Sequence, residues 1–280
     1  MGKVMTLSIP RRDASSRPEV NSTVRYLRAA DRHEGVLGIG DWTSVHQNTV
    51  EVEVEISNGR GPGDSAALDA QGHSLVSHRS EFTDFRDDAG VERFYIPEVR
   101  ELVADLTEAA AVFPTHHFIR WGKAGDIENG YAPFLHGDKP VDDPRGFTDA
   151  ALARLRIDLR GDNWDFAWYN TWQPIDHEAQ QNPLVFVDAQ TVEAGDMVPY
   201  YYVGNGEKNL ETSLLPNSRH RFSYYPNMRT DEIVLFKQLD TRPGRAVTCV
   251  HSSFVDPSAP ESAPPRRSVE VRWLCAFPVT

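Results

Sequence analysis

The stretch Asn48-Thr-Val-Glu-Val-Glu-Val-Glu-Ile56 indicates the kind of fold that this chain adopts. Apolar and acidic residues alternate in it, and successive side chains of a β-strand point to opposite faces of the sheet. The valines are therefore predicted to face a core and the glutamates to face solvent. Further apolar runs, each bounded by turn-forming residues, are predicted strands: 184–187, 232–236, 246–254 and 269–277.

Two segments are predicted to be helical. Pro97–Val112 begins with proline, carries acids early and repeats apolar residues every three to four positions, and Thr148–Leu159 opens with a Thr-Asp cap. Loops are expected at 59–65, 204–218 and 256–267. Helices that precede a strand-rich C-terminal half are typical of a mainly β fold, a double-layered antiparallel jelly roll with helices packed on one face.

Composition and charge argue against several classes of function. The chain has 280 residues, 40% of them hydrophobic, and a formal net charge of -12. Such an acidic surface repels nucleic acid and anionic lipid, which argues against both as partners. No apolar run approaches the ~20 residues that cross a membrane, and no apolar signal segment opens the chain, so a cytoplasmic protein is expected. Cys249 and Cys275 lack the spacing of a thiolate zinc site and are expected to be reduced.

The motif His136-Gly-Asp138 is a candidate for part of an iron(II) site. Non-haem iron(II) oxygenases hold their metal with two imidazoles and one carboxylate, and leave the remaining coordination positions open. A His-x-acid step at a strand end points both side chains the same way, because the side-chain period of a strand is two. No other His-x-acid step occurs in the sequence. The alternative is a surface turn, since Gly137 and Lys139-Pro140 are turn-forming residues.

His251 is the candidate second imidazole, because it lies in the apolar run 246–254 shortly before a predicted loop. The alternative is a core histidine satisfied by a hydrogen bond. Arg266 and Ser268 open the next predicted strand, where a guanidinium and a hydroxyl can grip a carboxylate such as the far end of 2-oxoglutarate. The alternative for Arg266 and Arg267 is a solvated basic turn, and Arg272 is the second choice for this anchor.

The other histidines are weaker candidates. His116 and His117 are adjacent, so on a strand they face opposite ways and do not easily share one metal. His220 lies in a polar turn and is either a pocket residue or a surface residue. The remaining ones have no partner at useful spacing: His33, His46, His73, His78 and His177.

Several segments carry a family resemblance. They include His220-Arg-Phe-Ser-Tyr-Tyr-Pro-Asn-Met228, Val250-His-Ser-Ser-Phe-Val-Asp-Pro257 and Pro265-Arg-Arg-Ser-Val-Glu-Val-Arg272, with His136-Gly-Asp138 upstream. Together they resemble the hydroxylase/desaturase family of secondary metabolism, which includes a fungal gibberellin desaturase and a subunit of a cephalosporin 7α-methoxylase. The resemblance covers residues 22–278 approximately.

The resemblance implies one catalytic domain over residues 1–280, with an N-terminal β/α elaboration (1–115) and a double-stranded β-helix, or cupin-like, core (about 116–280). It implies iron(II), O2 and 2-oxoglutarate as co-substrate. It also implies site residues by position: His136, Asp138 and His251 as metal ligands, and Arg266 with Ser268 as the co-substrate anchor.

Two departures from the family pattern bear on the substrate. Gln173 stands where the family often has arginine, so a charge contact made there would be absent. Arg267 replaces a common acid in the Arg-x-Ser step, which makes the local charge more positive and leaves open which arginine binds the co-substrate.

Substrate contacts are expected from side chains at the mouth of the core, although most aromatic residues of a domain are simply core. The candidates are Arg120, Trp172, Tyr201, Tyr224 and Tyr225. Asn170 and Lys237 are expected to support the metal ligands from outside the coordination sphere.

The predicted function is an iron(II)/2-oxoglutarate-dependent dioxygenase. It hydroxylates, desaturates or cyclises a small metabolite of the natural-product or amino-acid type, and it can form a homodimer. The alternative from another class is a non-catalytic jelly roll, either a ligand-binding module or an accessory subunit of a tailoring enzyme complex. A third hypothesis keeps the fold but gives His251 a zinc or nickel ion that does not use oxygen.

Overall fold

Two β-sheets form the framework of the chain. The computed structural model describes residues 20–28, 36–38, 41–60, 65–121, 131–159, 161, 163–204 and 207–279. The described strands are β1 Val20–Leu27, β2 Val36–Gly38, β3 Thr49–Asn58, β4 His73–Ser77, β5 Ala111–Arg120, β6 His136–Gly137, β7 Trp164–Pro174, β8 Leu184–Val187, β9 Met197–Gly204, β10 Glu207–Leu214, β11 Phe222–Tyr224, β12 Glu232–Asp240, β13 His251–Ser253 and β14 Ser268–Pro278. The described α-helices are α1 Trp42–Asn48, α2 Ser65–Ala70, α3 Asp88–Gly90, α4 Ile96–Thr107 and α5 Pro144–Leu155; a π-helical turn, Val91–Tyr95, joins α3 to α4, and two 3-10 turns lie at Ala189–Thr191 and Ala194–Asp196.

The strand order places two very short strands at the middle of the larger sheet. That sheet has nine strands in the order β1-β3-β11-β8-β13-β6-β10-β9-β2, and the smaller sheet has five in the order β4-β12-β7-β14-β5. Most neighbours are antiparallel, while β3–β11 and β2–β9 are parallel. The central pair, β6 with β13, carries both histidines of the predicted metal site.

Strand β3 has the two faces that its alternating sequence predicts. The side chains of Glu51, Glu53 and Glu55 are exposed, and the apolar residues between them are half-buried or buried. Ile56 at its end is fully buried and packs with core residues of neighbouring strands. The prediction of a half-buried strand at this place is confirmed.

Several predicted boundaries are wrong. The run 246–254 is a strand only at His251–Ser253, because amides of its earlier part donate outside the large sheet: the Cys249 amide donates to the Lys237 carbonyl at 2.8 Å. The predicted loop 204–218 contains β10, which pairs with β9 as a hairpin.

Both long helices differ from their predicted bounds for local reasons. The helix expected to continue to Val112 ends at Thr107, since Glu108 takes up a left-handed conformation with φ 57°. Helix α5 begins at Pro144 because the Asp143 carboxylate caps it, accepting from the Gly146 amide at 2.9 Å.

The long helices pack on opposite faces of the five-stranded sheet, which corrects the prediction that helices cover one face. Val99 of α4 belongs to the cluster that contains Tyr169, whereas Leu152 of α5 belongs to the cluster that contains Trp168. Adjacent residues of a strand point to opposite faces, so the two helices lie on opposite sides of β7. The face that carries Trp168 and Asn170 is called the inner face, because it is turned toward the nine-stranded sheet.

Two β-bulges interrupt the five-stranded sheet. The register of β12 on β7 shifts between Lys237 and Leu239, and the register of β14 on β5 shifts between Arg272 and Trp273. A bulge inserts one unpaired residue and redirects side chains, and bulges are frequent beside active sites. Residues of both bulges contact the candidate site described below.

The N-terminal part of the chain is built into both sheets. Strands β1, β2 and β3 extend the nine-stranded sheet, while β4 and β5 form the edges of the five-stranded sheet. The boundary predicted at residue 115 falls within β5.

The described helices include none with the length and apolar character that crossing a membrane requires. Cys249 and Cys275 are both buried and unbonded to one another.

Candidate metal centre

Strands β6 and β13 bring three predicted ligands together. His136 lies directly opposite His251 in the antiparallel pairing, and their ring centroids are 4.4 Å apart. Asp138 follows two residues after His136, so its side chain points to the same face. One ligand atom from each of the three lies within 4.8 Å of the other two, and all three side chains are buried. The motif lies at a buried strand end, which contradicts the surface-turn alternative.

Gly137 lies between two of the candidate ligands, and the close packing around it favours glycine. A Cβ atom at Gly137 would come within 3.0 Å of the Thr248 hydroxyl oxygen. Such contacts are tighter than ordinary van der Waals packing, so a larger residue would press the segment before β13 away from β6. The close approach of these segments keeps His136 and His251 adjacent.

Hydrogen bonds to backbone carbonyls orient both imidazoles. The Nδ1–H of His136 donates to the Phe134 carbonyl at 2.9 Å, and the Nδ1–H of His251 donates to the Cys249 carbonyl at 3.3 Å. These bonds fix the tautomer in which the Nε2 atoms carry the lone pairs, as a metal-binding histidine requires.

The protonation states of the ligands suit a cation. Burial, and next the charge of His136, lower the pKa of His251 to about 3, so this imidazole is neutral at pH 7. Burial raises the pKa of Asp138, but Arg272 and the two histidines outweigh it and hold that pKa below the usual range. A neutral imidazole and an ionised carboxylate are the forms that bind metal ions.

Three contacts fix the position of Asp138. The Asn170 amide donates to its Oδ2 atom at 2.6 Å, and the Arg272 guanidinium forms an ion pair with its Oδ1 atom at 3.0 Å. Its own backbone amide donates to Oε1 of Gln238 at 2.8 Å. All three partners lie on the inner face of the five-stranded sheet, so Asp138 bridges the two layers.

A row of alternating charges leads away from Asp138. Arg272 also contacts Glu270 at 3.4 Å, and Glu270 in turn lies 3.9 Å from Arg120 on β5. The guanidinium of Arg272 is therefore shared between two carboxylates. Arg120 and Arg272 both lie over the ring of Phe118, at 5.2 and 4.9 Å from its centroid.

Arg266 has a different environment. It is buried, donates to the Asn182 carbonyl at 2.5 Å and lies over the rings of Tyr131 and Trp172 at 4.2 and 5.3 Å. Burial lowers its pKa to about 9, which leaves it charged at pH 7. Three buried donors here have no hydrogen-bond acceptor among the described residues: Arg266 Nε, Ser268 Oγ and Trp172 Nε1. A carboxylate ligand would satisfy such a group.

Tyr201 lies away from the three candidate ligands. Its side chain is 42% exposed on the outer face of β9, while its neighbours Tyr200 and Tyr202 point to the other face. The Tyr200 hydroxyl donates to the buried Glu211 at 2.9 Å, and the Tyr202 ring lies 6.1 Å from that of Phe134. Strand alternation counted from Tyr201 would have identified these two tyrosines.

Three further predicted residues have core or ion-pair contacts. Tyr224 packs edge-on against Phe254 within the core of the nine-stranded sheet. The Tyr225 hydroxyl bonds to Nδ1 of His73 at 2.7 Å. The buried ammonium group of Lys237 forms ion pairs with Asp240 at 2.7 Å and with Asp69 at 3.2 Å, on the face of the sheet opposite to Asn170.

Three residues that surround Asp138 are not among the site residues predicted from the sequence. Glu270 has the same strand parity as Ser268 and Arg272, so the period of two could have found it. Glu211 lies in a segment predicted as a loop, and burial with the nearby charge of Asp138 raises its pKa. Gln238 lies two residues after Phe236 on β12, so the same period of two could have found it.

A second group of candidate ligands lies at the surface. Asp88, Glu92 and His117 approach one another, and His117 Nε2 lies 2.7 Å from Asp88. Both carboxylates are exposed, and exposed acidic groups of this kind are common without a metal. The buried group at β6 and β13 is therefore the stronger candidate.

Comparison with known proteins gives a family and a fold. The family described as oxidoreductase/YMDC permease-like domain matches residues 24–276. The solved structure of the iron and alpha-ketoglutarate-dependent endoperoxidase NvfI superposes with a TM-score of 0.76 at 22% identity, covering 94% of this chain and 100% of that chain. This likeness concerns the fold, and it confirms the predicted mainly β, double-stranded β-helix architecture.

Curated relatives align over most of the chain. The hydroxylase/desaturase efuI of Hormonema carpetanum is 27% identical over 288 residues, covering 92% of this chain and 95% of that protein. The Fe(II)/2-oxoglutarate-dependent dioxygenase nvfI of Aspergillus novofumigatus is 26% identical over 249 residues, covering 83% and 86%. The similarity thus extends through both sheets.

Proposed function

We propose that this chain, which belongs to the oxidoreductase/YMDC permease-like domain family, is an iron(II)/2-oxoglutarate-dependent oxygenase acting on a small metabolite. One observation carries the proposal: two imidazoles and a carboxylate lie buried within 4.8 Å of one another on β6, β13 and the residue beyond β6. This donor set is the one that non-haem iron(II) oxygenases use. Relatives named as hydroxylase/desaturase and as Fe(II)/2-oxoglutarate-dependent dioxygenase support it.

His136, Asp138 and His251 would hold the metal through two Nε2 atoms and a carboxylate oxygen. When bound, iron(II) with 2-oxoglutarate and O2 supplies the oxidising power that removes hydrogen from a C–H bond. The chain itself orients the ligands: Asn170 and Arg272 fix the carboxylate, and two backbone carbonyls fix the imidazoles. Their burial limits the access of water to the site.

Arg266 is the proposed anchor of the far carboxylate of 2-oxoglutarate, with Ser268 and the indole N–H of Trp172 as further donors. The Nε atom of Arg266, the Ser268 hydroxyl and the Trp172 indole N–H lack acceptors among the described residues, whereas Arg272 pairs with Asp138 and Glu270. These contacts favour Arg266 over Arg272, because a carboxylate ligand would have to displace the existing ion pairs of Arg272.

The substrate would be a small metabolite of the natural-product or amino-acid type, which the protein hydroxylates, desaturates or cyclises. Arg120 is the predicted substrate contact nearest to the charged row that leads to Asp138, and Tyr202 on β9 is a further candidate. A cytoplasmic location and a homodimeric state belong to the same proposal, and fractionation and light scattering test them.

Succinate formation tests the proposal. Anaerobically prepared protein, supplied with iron(II), 2-oxoglutarate and O2, should release succinate, and amino acids with polyketide or peptide scaffolds should be screened for stimulation of that release. Asp138→Ala should abolish succinate formation because a ligand is lost. A wild-type protein that binds a screened metabolite, forms no succinate with it and keeps its affinity in Asp138→Ala would be a binding module instead.

A further inference from the structure

We propose that Gln238 is a positioning residue for Asp138: its side chain crosses from the five-stranded sheet and holds the backbone of the metal-binding carboxylate. The inference rests on the proposed function, since it concerns how that carboxylate reaches a metal. Gln238 lies two residues after Phe236, so strand alternation places both side chains on the face that is turned toward the site.

Strand alternation determines where Gln238 points. Phe236 faces inward, with its ring centroid 4.7 Å from that of His251. Gln238 lies two residues further along the strand, so its fully buried side chain points inward as well, toward Asp138. The bulge leaves Gln238 without a partner on β7, because Lys237 pairs with Tyr169 and the next paired residue is Leu239.

Gln238 satisfies a backbone group that strand pairing leaves open. Strand β6 ends at Gly137, so Asp138 lies just beyond the ladder with β10. Its amide donates to Oε1 of Gln238 at 2.8 Å, in a buried position. Because the backbone N–H is a donor, the glutamine oxygen must face it, and this fixes the orientation of the side-chain amide.

The remaining half of the Gln238 amide is available to the site. Its Nε2 atom is buried and has no hydrogen-bond acceptor among the described residues. A buried donor without an acceptor destabilises a folded protein. A gain in folding stability therefore does not explain the glutamine at this position, whereas its role in orienting Asp138 does. Without the Oε1 contact, the peptide of Asp138 could rotate away from His136 and His251.

The experiment measures metal binding, with cobalt(II) as an oxygen-stable probe for iron(II). Gln238→Met removes the acceptor at similar volume and should weaken cobalt(II) binding by about 10–100-fold, the range typical of residues that orient metal ligands. The visible absorption bands of bound cobalt(II) should shift, because they report ligand geometry. Gln238→Glu keeps an acceptor oxygen at the same place and should retain the wild-type cobalt(II) absorption bands.

The chain offers a matched control in Gln173 on the neighbouring strand β7. It is buried and bonded, accepting from the Tyr95 hydroxyl at 2.7 Å and donating to the Thr230 carbonyl at 2.6 Å, but it faces away from Asn170. Gln173→Met should lower the melting temperature and leave both the cobalt(II) affinity and the spectrum unchanged. Gln238→Ala also removes the acceptor and leaves a smaller side chain. This variant tests the inference if Gln238→Met does not fold.

The possible results distinguish the inference about Gln238 from the proposed oxygenase function. Wild-type affinity and spectrum in folded Gln238→Met or Gln238→Ala would overturn the inference while leaving the oxygenase proposal intact. Equal weakening in Gln173→Met would also overturn it, because the effect would then be general destabilisation. A wild-type protein that binds no cobalt(II) would overturn the proposed function, and the inference with it.

Discussion

Arg266 and Arg272 lie close together in the sequence, yet their surroundings give them different chemistry. Arg272 forms ion pairs with Asp138 and Glu270, which occupy its guanidinium. Arg266 is buried against the rings of Tyr131 and Trp172, and its Nε atom has no acceptor among the described residues. A buried cation without a carboxylate partner is destabilising, so a ligand that supplies one binds strongly.

Replacement of Arg266 tests this assignment. Arg266→Gln should raise the KM for 2-oxoglutarate by about 100-fold, since two charge-assisted hydrogen bonds would be lost. Steady-state succinate assays measure the effect. The adjacent Arg267, which pairs with Asp176 at 2.7 Å and is partly exposed, is the matched control. An unchanged KM in Arg266→Gln, or an equal rise in Arg267→Gln, would refute the assignment.

His73 is a second residue whose surroundings determine its chemistry. It lies fully buried, stacked on Phe186 at 4.7 Å, and its two ring nitrogens bond to the hydroxyls of Tyr225 and Ser223 at 2.7 and 3.1 Å. Burial lowers its pKa from 6.5 to about 4. The native state therefore keeps a neutral imidazole that the unfolded chain protonates near pH 6.5.

The pKa of His73 predicts how stability depends on pH. Its native pKa is depressed, so its contribution is complete above pH 6.5 and is lost as pH falls from there toward 4. His73→Gln removes this titration, and metal-free variant protein should lose about 2 kcal/mol less than wild type between pH 7.5 and pH 5. Urea unfolding at the two pH values measures the difference. Identical losses in both proteins would contradict the prediction.

At the scale of elements, strands with strict alternation are predictable and short strands are not. The pattern of β3 shows in its sequence because one face meets solvent. The segment before His251 is equally apolar, but its amides bond to Asp69 and Lys237, so the buried run is mostly loop. Apolar content reports burial, and only the neighbours of a segment decide whether it joins a ladder.

The candidate site likewise has one part that the sequence predicts and one part that it does not. His136 and Asp138 were predictable because the His-x-acid step concerns residues close in sequence, and His251 was added from its apolar run and the family resemblance. The contacts of Asp138 with Gln238 and Arg272 join it to a different sheet. The packing of two sheets on one another is set by the whole fold, which local sequence does not encode.

At the scale of the whole molecule, the candidate metal centre lies where the two sheets meet. His136 and His251 belong to the nine-stranded sheet, while the groups that fix Asp138 belong to the five-stranded sheet. A bound ion would therefore link segments that are distant along the chain. Since the unfolded chain holds no such arrangement, binding should favour the folded state.

Thermal unfolding tests this link. Cobalt(II) at 100 times its dissociation constant should add about 2.7 kcal/mol to the free energy of unfolding, which raises the melting temperature by about 5–10 °C. A chelator should reverse the rise, and Asp138→Ala should not show it. Glu53→Ala, a change at an exposed position of β3, is the control that should respond like wild type. An equal rise in Asp138→Ala would place the ion elsewhere.

The row of alternating charges from Asp138 through Arg272 and Glu270 to Arg120 has a consequence for divergence among relatives. Loss of one member leaves an adjacent buried charge uncompensated, whereas joint replacement of an acid with its basic neighbour keeps the balance. Joint replacement of such a pair is therefore expected to cost less stability than replacement of one member. A change at the Arg120 end is coupled, through Glu270 and Arg272, to the candidate metal ligand at the other end.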